Sequence, residues 1–133
     1  MRSVTRPADK PRMDKPRTEK PWGHELLWTE TAHYAGKVIH INAGNRLSLQ
    51  YHEMKHESVL VLSGTLLLHL GQGNESRIVE LSQGESADIE ARQIHRFAAP
   101  ESGDVDLIEV STPHLDDVVR IEDDYNREGT TAP

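Results

Sequence analysis

Short apolar or alternating stretches, each ended by a turn, constrain this chain more than any other feature. Val38-Ile39-His40-Ile41 runs into Asn42-Ala43-Gly44-Asn45, and Leu47 to His52 follows. Ser58 to Leu62 ends at Ser63-Gly64, and Thr65 to Leu70 ends at Gly71-Gln72-Gly73-Asn74. Ile78–Leu81, Ala87–Ile89, Arg96–Ala98 and Val105–Val110 complete the series. Stretches of this length bury one face of a strand and are too short for a helix that spans a core. The two glycine turns at 63–64 and 71–74 predict tight hairpins. The pattern predicts an all-β sandwich or barrel, in which closure removes exposed sheet edges. A weak helical pattern is expected only near Leu115 to Arg120.

With 133 residues the chain suits one domain, and a core of that size forms without disulfides. There is no cysteine, which removes disulfide scaffolds, thiolate metal sites and cysteine nucleophiles. A cysteine-free chain fits a reducing compartment, and the cytoplasm is the expected location. The start, Met1 to Pro7, has no apolar stretch behind its charges and does not read as a secretory signal. No apolar run approaches membrane-spanning length, so no membrane partner is expected.

The formal charge of −7 is unevenly placed. Residues 1–20 hold seven Lys or Arg and three acids, leaving eight basic and nineteen acidic groups in the rest. The acidic body argues against nucleic-acid binding. In the basic segment, Asp9-Lys10-Pro11-Arg12, Asp14-Lys15-Pro16-Arg17 and Glu19-Lys20-Pro21-Trp22 recur every five residues. Prolines at that spacing oppose helix, and residues 1–17 are expected to be a disordered tail. The globular part is expected over 18–127, with a flexible end at 128–133.

The chemistry concentrates in Leu47 to Val59. Gln50 and His52 are two apart, so on a strand both leave the same face. Glu57 follows after a polar stretch, and His95 lies beyond a separate turn at Gly84. Two imidazoles, a carboxylate and an amide converging would form an N/O site for a first-row divalent cation. An isolated strand histidine is otherwise a hydrogen-bonded barrel residue. Gln50 either binds the metal or hydrogen-bonds a water on it. His56 stands four residues from His52, a spacing that suits a helix, and is read as exposed.

These residues carry a family resemblance. Gly44, Gln50, His52, Glu57 and Gly64 resemble the first motif of the cupins, and Gly84, Ile89 and His95 resemble the second. More narrowly, the chain resembles the cupin domain of type II mannose-6-phosphate isomerases, often fused elsewhere to a mannose-1-phosphate guanylyltransferase. The matching pieces are Lys20-Pro21-Trp22-Gly23, Leu47 to His52, Gly84-Glu85-Ser86, His95-Arg96, Leu107 to Val110 and Val119 to Arg127. Four places depart from the family pattern, one of them Asn126, which replaces the Gly before the last arginine of the Asp-Tyr-Gly-Arg ending. Glu90 and Arg92 replace a Pro and a Gly before the second-motif histidine. Ser58-Val59 replaces His-Trp. Pro113 and His114 stand where a Gly-rich stretch is usual.

The resemblance implies a double-stranded β-helix, or jelly-roll, barrel. It implies that Gln50, His52, Glu57 and His95 bind a divalent ion such as Zn, Mn, Fe, Co or Ni. It further implies an aldose–ketose isomerase acting on a phosphosugar, and small cupins of this type suggest a homodimer. Such a reaction needs a base, and Glu109 among Leu107, Ile108 and Val110 is the first choice; its alternative is a strand acid facing solvent. Arg120 is a further catalytic candidate. Lys37, Arg96 and Arg127 are candidates for holding phosphate. Arg120 and Arg127 could instead pair with Glu122-Asp123-Asp124, and Arg96, directly after His95, would leave the opposite face of a regular strand. Trp22 is expected to close one barrel end. The competing readings are another metal-dependent cupin enzyme, a dioxygenase or epimerase, and a non-catalytic sugar-binding cupin.

Overall fold

The computed structural model describes residues 17–125 and 127. The expected tail therefore lies outside the described residues except for Arg17, which begins a strand. Eleven strands are described: β1 (Arg17–Lys20), β2 (Gly23–Glu30), β3 (Ala35–Ile41), β4 (Leu49–Tyr51), β5 (Glu57–Ser63), β6 (Leu66–Leu70), β7 (Arg77–Leu81), β8 (Ser86–Ile89), β9 (His95–Ala98), β10 (Val105–Ser111) and β11 (Val119–Glu122). They form two antiparallel sheets, β1-β2-β3-β10-β5-β8 and β11-β4-β9-β6-β7. Hairpin neighbours (β1-β2-β3 and β6-β7) alternate with pairs distant in sequence, such as β3-β10, β10-β5 and β4-β9, as in a jelly roll. No described helix is long and apolar enough to cross a membrane.

Alternation sets the core. Val59 and Val61 of β5, Leu66 and Leu68 of β6, and Val105 and Leu107 of β10 are buried at two-residue spacing. They meet Ile39, Ile41, Ile89, Phe97 and Trp22 between the sheets. Trp22 thus packs as its motif predicts. Gly23 follows it because a Cβ there would lie 1.9 Å from the His40 carbonyl oxygen.

Two expectations fail here. Ser63-Gly64 is not a hairpin turn, since β5 pairs with β10 and β8 while β6 pairs with β7 and β9. It is a corner at which the chain changes sheets, with Gly64 at φ 81° and no room for a Cβ beside the Asp104 carbonyl. The helical pattern at 115–120 also gives way. Leu115 to Val118 form turns, and Val119–Glu122 is a strand because Arg120 pairs with Gln50 at the sheet edge. The hairpin expected at 71–74 does form, joining β6 to β7 through a 3-10 turn at Gly73–Glu75.

Arg92 stands where the resemblance places a glycine, and its φ is 69°. Left-handed backbone costs a side-chain-bearing residue roughly 1–2 kcal/mol, while glycine loses about 0.5–1 kcal/mol in chain entropy. The side chain offers little in return, being exposed with only a 3.6 Å contact to Glu53. Arg92→Gly is expected to raise stability by about 0.5–1 kcal/mol, read as a higher midpoint in urea with unchanged slope. A lower midpoint would show that the Arg92 side chain contributes more than its backbone strain costs.

Candidate metal centre and its cavity

The strand registers bring the chemistry together. In the second sheet, Arg120 of β11 and His95 of β9 lie opposite Gln50 of β4 on its two sides. Directly opposed residues share a face, so these three form one row. In the first sheet, Lys37, Glu109 and Val59 are opposed across β3, β10 and β5. Glu57, two residues before Val59, leaves the same face. Gln50, Arg120, Lys37, Glu109 and Glu57 of these rows line one cavity together with His52, Lys55, Lys20, Glu25 and Arg127, and His95 is buried against Glu57.

His52, Glu57 and His95 are buried, and their ligand atoms lie within 4.8 Å of one another. His95 Nε2 is 3.0 Å from Glu57 Oε1, and His52 Nε2 is 3.7 Å from it. The far ring nitrogens are held by backbone. His52 Nδ1 donates to the Asp117 carbonyl at 2.5 Å, and His95 Nδ1 donates to the Gln93 carbonyl at 2.8 Å. A carbonyl only accepts, so the Nδ1 of each ring is the protonated nitrogen facing it, and Nε2 is the atom turned inward to the carboxylate.

The three inward atoms have no hydrogen-bond partner among the described residues. Three such buried atoms facing one another are unfavourable unless a proton or a metal ion sits between them. Two imidazole nitrogens and one carboxylate oxygen therefore fit a first-row divalent ion. Gln50 faces the same cavity, and its Oε1 accepts from Ser48 Oγ at 3.2 Å. Burial opposes the charge on Glu57. The facing His52 and His95 rings and the Lys55 ammonium outweigh it and hold this carboxyl well below the usual carboxylate range.

Lys55 is the residue that the sequence reading missed. Its Nζ lies 3.1 Å from Glu57 Oε2 and 3.2 Å from Glu109 Oε1, with its side chain 7% exposed. Burial opposes its charge too, but Glu109 and Glu57 together raise its pKa. Glu57 is thereby left with one free oxygen toward the histidines. Two buried carboxylates share one ammonium, and Glu109 has the weaker claim. Burial first, then the negative charge of Glu57, pushes Glu109 up to about 7 against the pull of Lys55 and Lys37. A lysine two residues before Glu57 was a signal in the alternation 55–57–59.

Beside Glu25 and apolar side chains, the cavity holds four further cations. Lys20, Lys37, Arg120 and Arg127 line it. Lys37 pairs with Glu25 at 3.0 Å and Arg127 with Asp123 at 2.8 Å. Burial lowers the Lys20 pKa, and Lys37, Arg127 and Arg120 lower it further against Glu25. Burial and then Arg127 lower that of Arg120. Cations crowded in this way favour an anion among them. Lys20 had been read only as part of a packing motif.

Of the sequence candidates, Gln50, His52, Glu57, Glu109, Lys37, Arg120 and Arg127 line this cavity and His95 is buried against Glu57, whereas Arg96 does not line it. It follows His95 on β9 and leaves the other face, where its Nε donates to the Leu47 carbonyl at 2.8 Å. It is withdrawn as a contact of anything bound in the cavity. His56 is exposed, as its spacing suggested.

Comparison with known proteins agrees with this architecture. The alginate biosynthesis protein AlgA of Pseudomonas aeruginosa is 30% identical over 116 residues, 85% of this chain and 23% of its own length. The xanthan biosynthesis protein XanB of Xanthomonas campestris pv. campestris is 32% identical over 111 residues, 81% of this chain and 23% of its own. The chain thus spans about a quarter of the length of these relatives. Among solved structures, the capsular polysaccharide assembling protein CapF of Staphylococcus aureus superposes with a TM-score of 0.71 at 20% identity, covering 82% of this chain and 34% of its own. KdgF from Halomonas sp. gives 0.64 at 20% identity, covering 73% of this chain and 85% of its own. At these identities the likeness concerns the fold alone. It places the two sheets among the double-stranded β-helix barrels. Residues 9–123 match the family described as "Mannose-6-phosphate isomerase C-terminal", and the chain belongs to that family.

Proposed function

We propose that this protein is a metal-dependent isomerase of a hexose 6-phosphate, interconverting mannose 6-phosphate and fructose 6-phosphate. The observation that carries the reading is Glu109. It is a buried carboxyl with a pKa near neutrality, in a cavity lined by His52, Glu57 and four cationic side chains, with His95 3.0 Å from Glu57. Aldose–ketose isomerisation needs these components together.

His52, Glu57 and His95 would hold the metal, with Gln50 or water beside them. When bound, a divalent ion polarises the sugar carbonyl and stabilises negative charge on its oxygen. The protein's own part is proton transfer and positioning. Glu109, as carboxylate, takes the proton from C2 of the aldose. The C2–H electron pair becomes the C1–C2 double bond of an enediol, and the proton is returned to C1 while the O2 proton passes to O1. Lys55 fixes one oxygen of Glu109 and keeps the proton carrier in a single orientation. Lys20, Lys37, Arg120 and Arg127 supply the charge that holds a phosphate dianion. The apolar residues Trp22, Ile39, Phe97, Leu115 and Val118 line the same cavity and limit water around the enediol.

The test is interconversion by metal-loaded protein, with mannose compared against mannose 6-phosphate. The expected result is turnover of the phosphosugar and a loss of roughly 10²-fold or more in kcat/KM without the phosphate. No interconversion by protein carrying one metal per chain would contradict the proposal.

A further inference from the structure

The segment from Thr112 to Val118 walls the cavity through Leu115 and Val118. It is also tied to the loop that separates two of the inward-facing residues, His52 and Glu57. Asp117 Oδ1 accepts from the Glu53 amide at 3.0 Å, and Oδ2 accepts from the amides of Met54 and Lys55 at 2.7 and 2.9 Å. The backbone carbonyl of the same residue accepts from His52 Nδ1. Two further bonds close the junction, from the His56 amide to Thr112 Oγ1 and from the Thr112 amide to the His56 carbonyl.

Three consecutive amides on one carboxylate are charge-assisted bonds that fix the turn between His52 and Glu57. Any residue at 117 would offer a carbonyl. Only a side chain that captures the turn sets where that carbonyl stands, and so which way His52 turns its Nε2. We propose that Asp117 is a positioning residue of the metal centre, joining the cavity wall to the loop that sets the spacing of His52 and Glu57. This inference rests on the metal reading given above.

Cobalt(II) is the probe, with affinity measured by competition against a chelator and coordination followed by visible absorption. Wild type is expected to bind one ion per chain. Asp117→Ala is expected to weaken cobalt binding by ~10–100-fold and to alter the absorption of the bound ion. Asp117→Asn keeps one acceptor oxygen and is expected to fall between the two. Asp116→Ala, at the exposed neighbouring position, is expected to match wild type.

If Asp117→Ala only lowers the thermal midpoint, with affinity and absorption unchanged, the role is structural and the inference is overturned. If that variant does not fold, Asp117→Asn decides on the same two readings. A wild type that binds no cobalt would sink the metal reading itself, a failure distinct from unchanged binding in the Asp117 variants.

Discussion

Glu109→Gln is expected to lower the proposed isomerisation by ~10²-fold or more while leaving the metal content of the protein unchanged. The change keeps size and shape but removes the one buried carboxyl in the cavity, among the described residues, that is poised near neutrality. General base catalysis contributes typically ~10²–10⁴-fold, and a group used only in the transition state is lost from kcat rather than from KM. Metal content holds because Glu109 is not one of the three converging residues. In the wild type, kcat/KM falls as pH drops and Glu109 takes up a proton. A cation beside Glu57 offsets the negative charge that raises Glu109, so this limb lies at or below about 7. The variant lacks the limb. Turnover within a few-fold of wild type, with the limb retained, would assign the proton transfer to another group.

Lys55→Met has the largest expected effect on stability. Among the described residues, the lysine is the one ammonium within 4 Å of both buried carboxylates, Glu57 and Glu109. Removing one partner of a buried ion pair costs about 3–5 kcal/mol, because the remaining charge is left without compensation. For a domain of this size that is a fall of roughly 10–20 °C in the thermal midpoint. The deficit depends on pH. Without the ammonium, Glu109 binds its proton more tightly still, so the folded variant holds a proton that the unfolded chain gives up near 4.5. Stability of the variant therefore falls as pH rises from about 4.5 through neutrality. Thermal melts at pH 5 and pH 8 check this. Equal midpoints for variant and wild type at pH 8 would mean that the bridge adds nothing.

Much of this was legible because strand alternation is a strong constraint. The two-residue spacing of Gln50 and His52 put both on the cavity face, and Glu109 stood out as an acid among Leu107, Ile108 and Val110. The same rule turned Arg96 away from His95. Other features were illegible for physical reasons. Whether Gly64 makes a hairpin or a corner depends on which strands β5 and β6 pair with, and no local pattern records that. Arg120 sits in an edge strand of four residues, where a local helical pattern is overruled by pairing with β4. Asp117 acts through backbone amides 62 to 64 positions away, a contact that leaves no periodic trace. Lys55 was hidden differently. A lysine in a polar stretch reads as exposed, and only the two carboxylates around it make its burial favourable.

Solvent-derived deuterium at the sugar carbons tests the central claim most directly. Metal-loaded protein is incubated in D₂O with mannose 6-phosphate and then with fructose 6-phosphate, and C1 and C2 are followed by NMR. Proton transfer through Glu109 predicts deuterium at C1 of the ketose and at C2 of the aldose, lost in Glu109→Gln and absent without protein. Metal-replete wild type that places no deuterium at either carbon, with these or related phosphosugars, would contradict the account and leave Glu109 a structural acid.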